Sequence, residues 1–322
     1  MSRLLQFDGI RAVAVLLIVL CHVFYGLDGM GSPAGQYLGG TYNFVFFAMS
    51  ALLIGLNVNK TKSGGGGGNS FSFLKRRIAR LLPELWIFLT LYIIFQLING
   101  VELSPRSVIL NYFMLGWFSK LPYIGHLWFV TMIVACYFMF AVLEKCKNKP
   151  RTVLILALVC IAGQIALEIK RLPDYFCLVM FMCAVIFMYA RLIVEYLQSK
   201  KMNWLLPISV IANLLYYWSI DEELLVIGHL PYYYGACISG LTTIVLLYFL
   251  FCKIKVGKIM ALIAAYSFQI YFVHHPFARN IALFNDYSNS ALLSTLCVYA
   301  ISFVLAYLLK QASDGVRSKI KL

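Results

Sequence analysis

Acidic side chains are scarce in this 322-residue chain: 13 Asp and Glu stand against 27 Lys and Arg, and all charged residues together make up 12%. A soluble globular domain carries about 25% charge. A water-soluble enzyme, a disordered chain and a coiled coil are therefore excluded. Cysteine occurs nine times, but never as a C-x-x-C pair, and Cys21, Cys136, Cys160, Cys177, Cys183, Cys237 and Cys297 lie inside apolar runs. That pattern excludes a secreted disulfide scaffold and reads as free thiols packing like small hydrophobes. No HExxH and no carboxylate cluster is present, so no metal site is expected. The glycine run at residues 63–70, SGGGGGNS, lacks the Lys-Ser or Lys-Thr pair of a phosphate loop and reads as a flexible linker.

What is abundant is hydrocarbon. Hydrophobic residues make up 62% of the chain and the mean hydropathy is +0.83. A surface built from such a composition needs lipid around it. A membrane span requires about 20 mostly apolar residues, and ten candidates follow: 10–27, 37–57, 81–99, 108–143 (best placed at 123–143), 152–167, 175–194, 204–219, 231–252, 259–277 and 291–310. The first could be taken for a signal peptide, but Asp8, Arg11 and His22 interrupt it, and it reads as a retained helix. With ten spans and the N-terminus inside, only Arg106, Lys120, Lys170, Arg171 and Arg279 among the basic residues fall outside; the other 22 lie on the cytoplasmic side. Asp28, Glu102, Glu168, Asp174, Asp221, Glu222, Glu223 and Asp286 fall outside. The net charge of +14 is thus topology, Lys and Arg held inside against anionic lipid, rather than nucleic-acid binding. The fold expected is an all-α polytopic bundle of about ten helices, with both termini cytoplasmic. It forms one domain over residues 1–322, with a cytoplasmic Gly-rich loop at 58–75.

Ionisable groups at membrane depth are costly and are functional candidates by default. Arg11 and His22 are eleven residues apart, so on a helix they share one face, about 16 Å apart along the axis. Asp8, three residues before Arg11, can pair with it. His22 is a natural proton acceptor near neutral pH; the plainer alternative is a topology-setting Arg and a histidine bonded to backbone. Arg77 and Arg80, beside Arg76, are one helical turn apart and could fork onto phosphate oxygens, or simply mark the inside. His274 ends the ninth span. Neighbouring His274 and His275 point about 100° apart on a helix, which argues against a shared metal. His126 and His229 read as loop or interface histidines.

Taken in order, these residues resemble the acyltransferase-three family of bacterial membrane proteins, which O-acylate surface glycans. Phe7-Asp8-Gly9-Ile10-Arg11-Ala12 followed by His22 is similar to the family's opening motif. Phe46 to Ile54, with Ser50, resembles its F-F-x-x-S-G-x-L-I segment, with Ala51 in place of Gly. Arg77-x-x-Arg80 with Pro83 and Trp86, then Leu127-Trp128-Phe129, then Ser267 to His274 with Tyr271, complete the series across nearly the whole chain. The resemblance implies acyl transfer, most simply acetyl, from cytoplasmic acetyl-CoA to a sugar hydroxyl of a glycan or glycolipid outside a bacterial cytoplasmic membrane. His22, Arg11 and Asp8 would be catalytic, and Arg77, Arg80 and Arg76 would meet the donor. His274, Trp128, Ser50 and Tyr271 are further site candidates. His22 would serve as general base or carry the acyl group itself. No fused extracellular domain is expected, so transfer is completed within the bundle or by a separate protein. A glycan or metabolite transporter is the alternative from another class, and a polytopic scaffold or sensor is a third reading.

Overall fold

The computed structural model describes residues 5–29, 32–63, 70–144, 150–169, 175–225, 230–281, 284, 286 and 289–320. Among the described residues, 87% are helical and none lies in a strand. In order, α1 is Leu5–Leu27, α2 Pro33–Ser63, α3 Ser70–Ile98 and α4 Pro105–Tyr112; a 3-10 turn at Gly125–Leu127 leads into α5, Trp128–Leu143. Then follow α6 Pro150–Ile169, α7 Phe176–Met188, α8 Ala190–Gln198, α9 Leu205–Asp221, α10 Leu230–Lys253, α11 Lys258–Val273, the short α12 His275–Arg279 and α13 Ala291–Ile320.

Six of these helices are long and apolar enough to cross a membrane: Leu5–Leu27, Pro33–Asn57, Ser72–Ile98, Gly125–Leu143, Pro231–Lys253 and Ala291–Lys319. The pair α7 and α8 passes the same test together but bends by 71° at Tyr189, which makes seven. Ten were expected. Three fall short of this test: the apolar stretches Pro150–Ala166 and Lys258–Val273 are each shorter than a straight bilayer crossing needs, and α9 has 17 residues. The expected loop at 58–75 is also narrower, because α2 runs on to Ser63 and α3 begins at Ser70. The glycines at 64–68 lie outside the described residues, as does His229.

The hydrophobic pattern is inverted relative to a soluble protein. Leu154, Ile155, Leu158 and Val159 on α6, Phe95 and Ile98 on α3, and Leu292 and Val304 on α13 all point outward, each more than half exposed. Such a surface suits lipid. The centre is α1, whose apolar residues run round the helix, as in a helix buried on all sides. It packs against α2, α10, α11 and α12. With no hydrophobic drive between helices in lipid, polar pairs and small residues hold such bundles together. Asn213 on α9 is one such bond centre. Its Oδ1 accepts from Tyr37 (2.7 Å), Ser239 (2.7 Å) and Thr243 (2.9 Å), joining α2, α9 and α10. Glu84 on α3, only 2% exposed, accepts from Arg317 on α13 (2.5 Å) and from Gln269 on α11 (2.8 Å). Arg317 also donates to the Arg80 carbonyl, in the turn that Pro83 loosens by having no N–H to give.

Two glycines set the helix spacings that matter below. A Cβ on Gly26 would stand 2.2 Å from the Ala278 carbonyl oxygen, so only glycine lets α12 lie against the end of α1. A Cβ on Gly40 would meet the Tyr216 hydroxyl at 2.4 Å. Gly26→Ala is therefore expected to lower the melting temperature of the solubilised protein, at a cost of about 1–3 kcal/mol. Gly315→Ala, where the added atom meets nothing within 4 Å, should leave the melt unchanged or raise it slightly.

Candidate active site

His22 sits near the end of α1. Its Nδ1 is 2.9 Å from the carbonyl of Ile18, one turn back. A carbonyl only accepts, so Nδ1 carries the proton and, in the neutral ring, Nε2 keeps its lone pair. That Nε2 takes no hydrogen bond among the described residues. His274, at the end of α11, is fixed in the same way by Ile270 (3.1 Å), and its own Nε2 lies 3.1 Å from His22 Nδ1. The His22 N–H is thus shared between a carbonyl and a second imidazole, and the ring is oriented from behind.

Two more histidines complete the cluster. His275 Nδ1 donates to the Tyr123 carbonyl at 2.5 Å, and its ring centre is 4.5 Å from that of His22. His126, on the 3-10 turn before α5, stacks on His275 at 4.4 Å with the planes 15° apart. His126 Nε2 donates to the Phe272 carbonyl (3.2 Å), which leaves its buried Nδ1 without a partner. Tyr123 is a non-glycine residue at φ 52°, in the left-handed region. A conformation of that kind costs about 1–3 kcal/mol and persists where surrounding contacts impose it. The His275 bond is such a contact. Among the described residues no three His, Cys, Asp or Glu side chains converge as metal ligands.

The cluster forms one side of a cavity of about 770 Å³ lined by His22, His126 and His275 from three different elements. Trp117, Trp128, Tyr175 and Tyr233 line it too, and their rings pack in series. The ring centres are 5.7 Å apart for Trp117–Trp128, 5.5 Å for Trp128–Tyr175 and 4.2 Å for Tyr175–Tyr233. Gly39, Gly40 and Asn43 of α2 line it as well, and Lys120 and Arg279 reach it. This is the shape of a small-molecule site, apolar and aromatic with a few converging polar groups. Flat aromatic faces with open lone pairs nearby suit a sugar ring and its hydroxyls.

The predicted basic residues gather at the other end of the bundle. Arg11 donates to Ser267 Oγ on α11 at 3.0 Å. Arg77 lies over the Phe73 ring at 5.5 Å. Arg77 is half-buried, whereas Arg76 and Arg80 are exposed. Arg77 and Arg80 lie one helical turn apart on α3 and Arg11 lies on α1; neither Arg11 nor Asp8 is brought to His22. On the same helix, Arg11 stands about three turns from His22 and Asp8 about four.

Among the other candidates, Trp128 lines the cavity. His274 lies just behind it, fully buried. Tyr271 donates to the His126 carbonyl at 2.5 Å and so holds that turn in place. Ser50 is not among the lining residues, which on α2 end at Phe47, one turn earlier. Sequence reasoning missed His126 and His275. Neighbouring side chains 100° apart do not share a ligand, yet they do embrace a third side chain placed between them, and His22 is placed so. The cavity's other aromatics, on five separate elements, carried no sequence signal beyond their amino-acid type.

A polytopic helical membrane protein thus carries an oriented histidine at the wall of an aromatic cavity. The family comparison adds the reaction type. The acyltransferase-three model, described as an acyltransferase domain, matches residues 4–311, and the chain belongs to that family. No curated protein and no solved structure matches it.

Three substitutions test the cluster. His22→Ala is expected to lower acyl transfer by about 10²–10⁴-fold, the range for a general base, with unchanged protein level in the membrane. His275→Ala and His126→Ala should each lower the rate as well, whereas the exposed Arg76→Ala should not. Ester formation normalised to membrane-inserted protein is the readout.

Proposed function

We propose that the chain transfers an acyl group, most simply acetyl, from acyl-CoA to a sugar hydroxyl of a cell-surface or lipid-linked glycan. The donor is met on the cytoplasmic side of a bacterial cytoplasmic membrane, and the acceptor on the outer side. The observation that carries this reading is His22, with its free Nε2 at the wall of an aromatic cavity. Family membership supports the reaction type. The reading takes ten crossings: the six long helices, the broken pair counted once, and α6, α9 and α11. This alternation puts the N-terminus inside, the arginines of α3 at the cytoplasmic face and His22 at the outer one, in accord with the bias of Lys and Arg.

In this scheme the phosphates of CoA dock on Arg77 and Arg80, with Arg11 next along the path. The pantetheine arm runs between the helices for the length of about three turns, some 16 Å, and presents the thioester to His22. The acceptor hydroxyl lies in the cavity. His22 Nε2 takes its proton as the oxygen attacks the thioester carbonyl. Collapse of the tetrahedral intermediate breaks the C–S bond, and the departing CoA thiolate recovers the proton from His22. His274 and Ile18 share the N–H on the far side of the ring, so the imidazolium formed midway keeps its orientation.

Three measurements bear on this reading. Surface glycan from a host lacking the gene, complemented with the wild type, should regain alkali-labile acyl esters seen by NMR before and after mild base; complementation with His22→Ala should not restore them. Absence of esters in every strain would favour a transporter. Arg77→Ala with Arg80→Ala should raise the KM for acetyl-CoA more than it lowers kcat. Labelled acetyl-CoA without acceptor should leave no label on the protein, because transfer is direct; a labelled protein that turns over on adding acceptor would instead make His22 or another residue the acyl carrier.

A further inference from the structure

We infer that the outer cavity selects an acceptor glycan bearing a negative charge, a carboxylate or a phosphate, held by Lys120 and Arg279; this rests on the acyl-transfer reading above. The argument begins with where charge falls at this end of the molecule. The outer segments carry more acids than bases: eight acidic residues against five basic ones from the span assignment. The cavity reverses that balance. Two of the five bases line it, and among the described residues no Asp or Glu does. Neither Lys120 nor Arg279 pairs with a carboxylate among the described residues.

The two cations differ in how they are held. Lys120 is exposed at the mouth, a flexible point charge. Arg279 is half-buried at the end of α12. One of its Nη1 hydrogens goes to the Tyr25 carbonyl at 3.0 Å, among the last carbonyls of α1 that have no partner within the helix. Its other donors have no partner among the described residues. A guanidinium tethered at one nitrogen and open at the rest is ready for a bidentate oxyanion. It also stands near enough to His22 for their charges to couple. Gly26 fixes the height of α12 on α1 and so the position of this arginine. A sugar stacked on Tyr175 and Trp128, with an anionic substituent on Arg279, has its register in the cavity set at two points. One hydroxyl then faces His22 Nε2. A neutral sugar would have only the aromatic faces, which tolerate rotation.

The test uses the full chain in its host, in a strain lacking the gene. The strain is complemented with wild type, the charge-reversed Lys120→Glu with Arg279→Glu, and the conservative Lys120→Arg with Arg279→Lys. Acyl ester is assigned to its sugar residue by two-dimensional NMR, in the polymer and in extracted lipid-linked intermediates, and normalised to protein in the membrane. The expected result is ester in a repeat that carries a carboxylate or phosphate, lost about tenfold or more on charge reversal, as when charge-assisted hydrogen bonds are removed, and reduced less by the pair that keeps both positive charges but gives up the arginine fork. Ester in a neutral polymer, with the same dependence on the two cations, would place the anion on the phosphate of the lipid carrier. Ester in a neutral glycan at wild-type level after charge reversal overturns the inference and leaves acyl transfer standing. Equal loss in the charge-reversed and conservative variants also overturns it, by making the cations structural. No ester in any strain removes acyl transfer itself, and the inference with it.

Discussion

The hydrogen bond from His22 Nδ1–H to the carbonyl of Ile18 is the interaction on which the remaining chemistry depends. It costs the chain little, because the acceptor is one turn back on the same helix. It settles which ring nitrogen carries the proton, and so which one is left as a base. A histidine at this depth without such a partner would carry an unpaired donor in a low-dielectric interior, and nothing would fix its tautomer. Ile270 fixes His274, Tyr123 fixes His275 and Phe272 fixes His126 through backbone carbonyls in the same way. Four imidazoles are thereby packed together, each with one nitrogen defined as donor by a backbone carbonyl.

The second constraint is separation. α1 carries both Arg11 and His22 and packs on α11, which carries both Ser267 and His274. The two helices are thus pinned by polar contacts at two heights, cationic at one and imidazole at the other. Ile10, Ala14, Val15 and Ile18 of α1, all essentially buried, make this helix apolar from one height to the other. Such a pair can hold a charged donor head at one level and a reactive thioester at another without bringing either set of charges into lipid. Close contact at Gly26 then lays α12 over the upper end, where the acceptor is read.

Much of this was legible in the sequence, and the limits were physical. Helical class and membrane residence followed from the 12% charge and the long apolar runs, because composition leaves few alternatives. The number of crossings did not follow as cleanly. The bend at Tyr189 and the short α6 and α11 are decisions of tertiary packing that hydropathy averages away. Arg11 and His22 were found by helical spacing. Spacing placed them on one face about 16 Å apart; their contacts to Ser267 and His274 on another helix appear only in the structure. His126 and Tyr123 belong to an irregular segment where no period applies, and their part in the site appears only once the 3-10 turn is folded against α11. Of the aromatic wall only Trp128 was legible, through the Leu127-Trp128-Phe129 match; Trp117, Tyr175 and Tyr233 come from distant segments, and each alone is an ordinary membrane aromatic.

The central claim is that donor and acceptor are used from opposite faces, through one bundle. The most direct measurement reconstitutes the protein in sealed vesicles of one orientation, with acetyl-CoA confined either inside or outside and a glycan acceptor in the opposite compartment. Free CoA thiol and glycan ester are then followed separately. The account predicts CoA release only where acetyl-CoA faces the Arg77 end, with ester appearing in the other compartment, and neither when the two substrates are exchanged. Ester formed with both substrates on the same face, and none across the membrane, would contradict it.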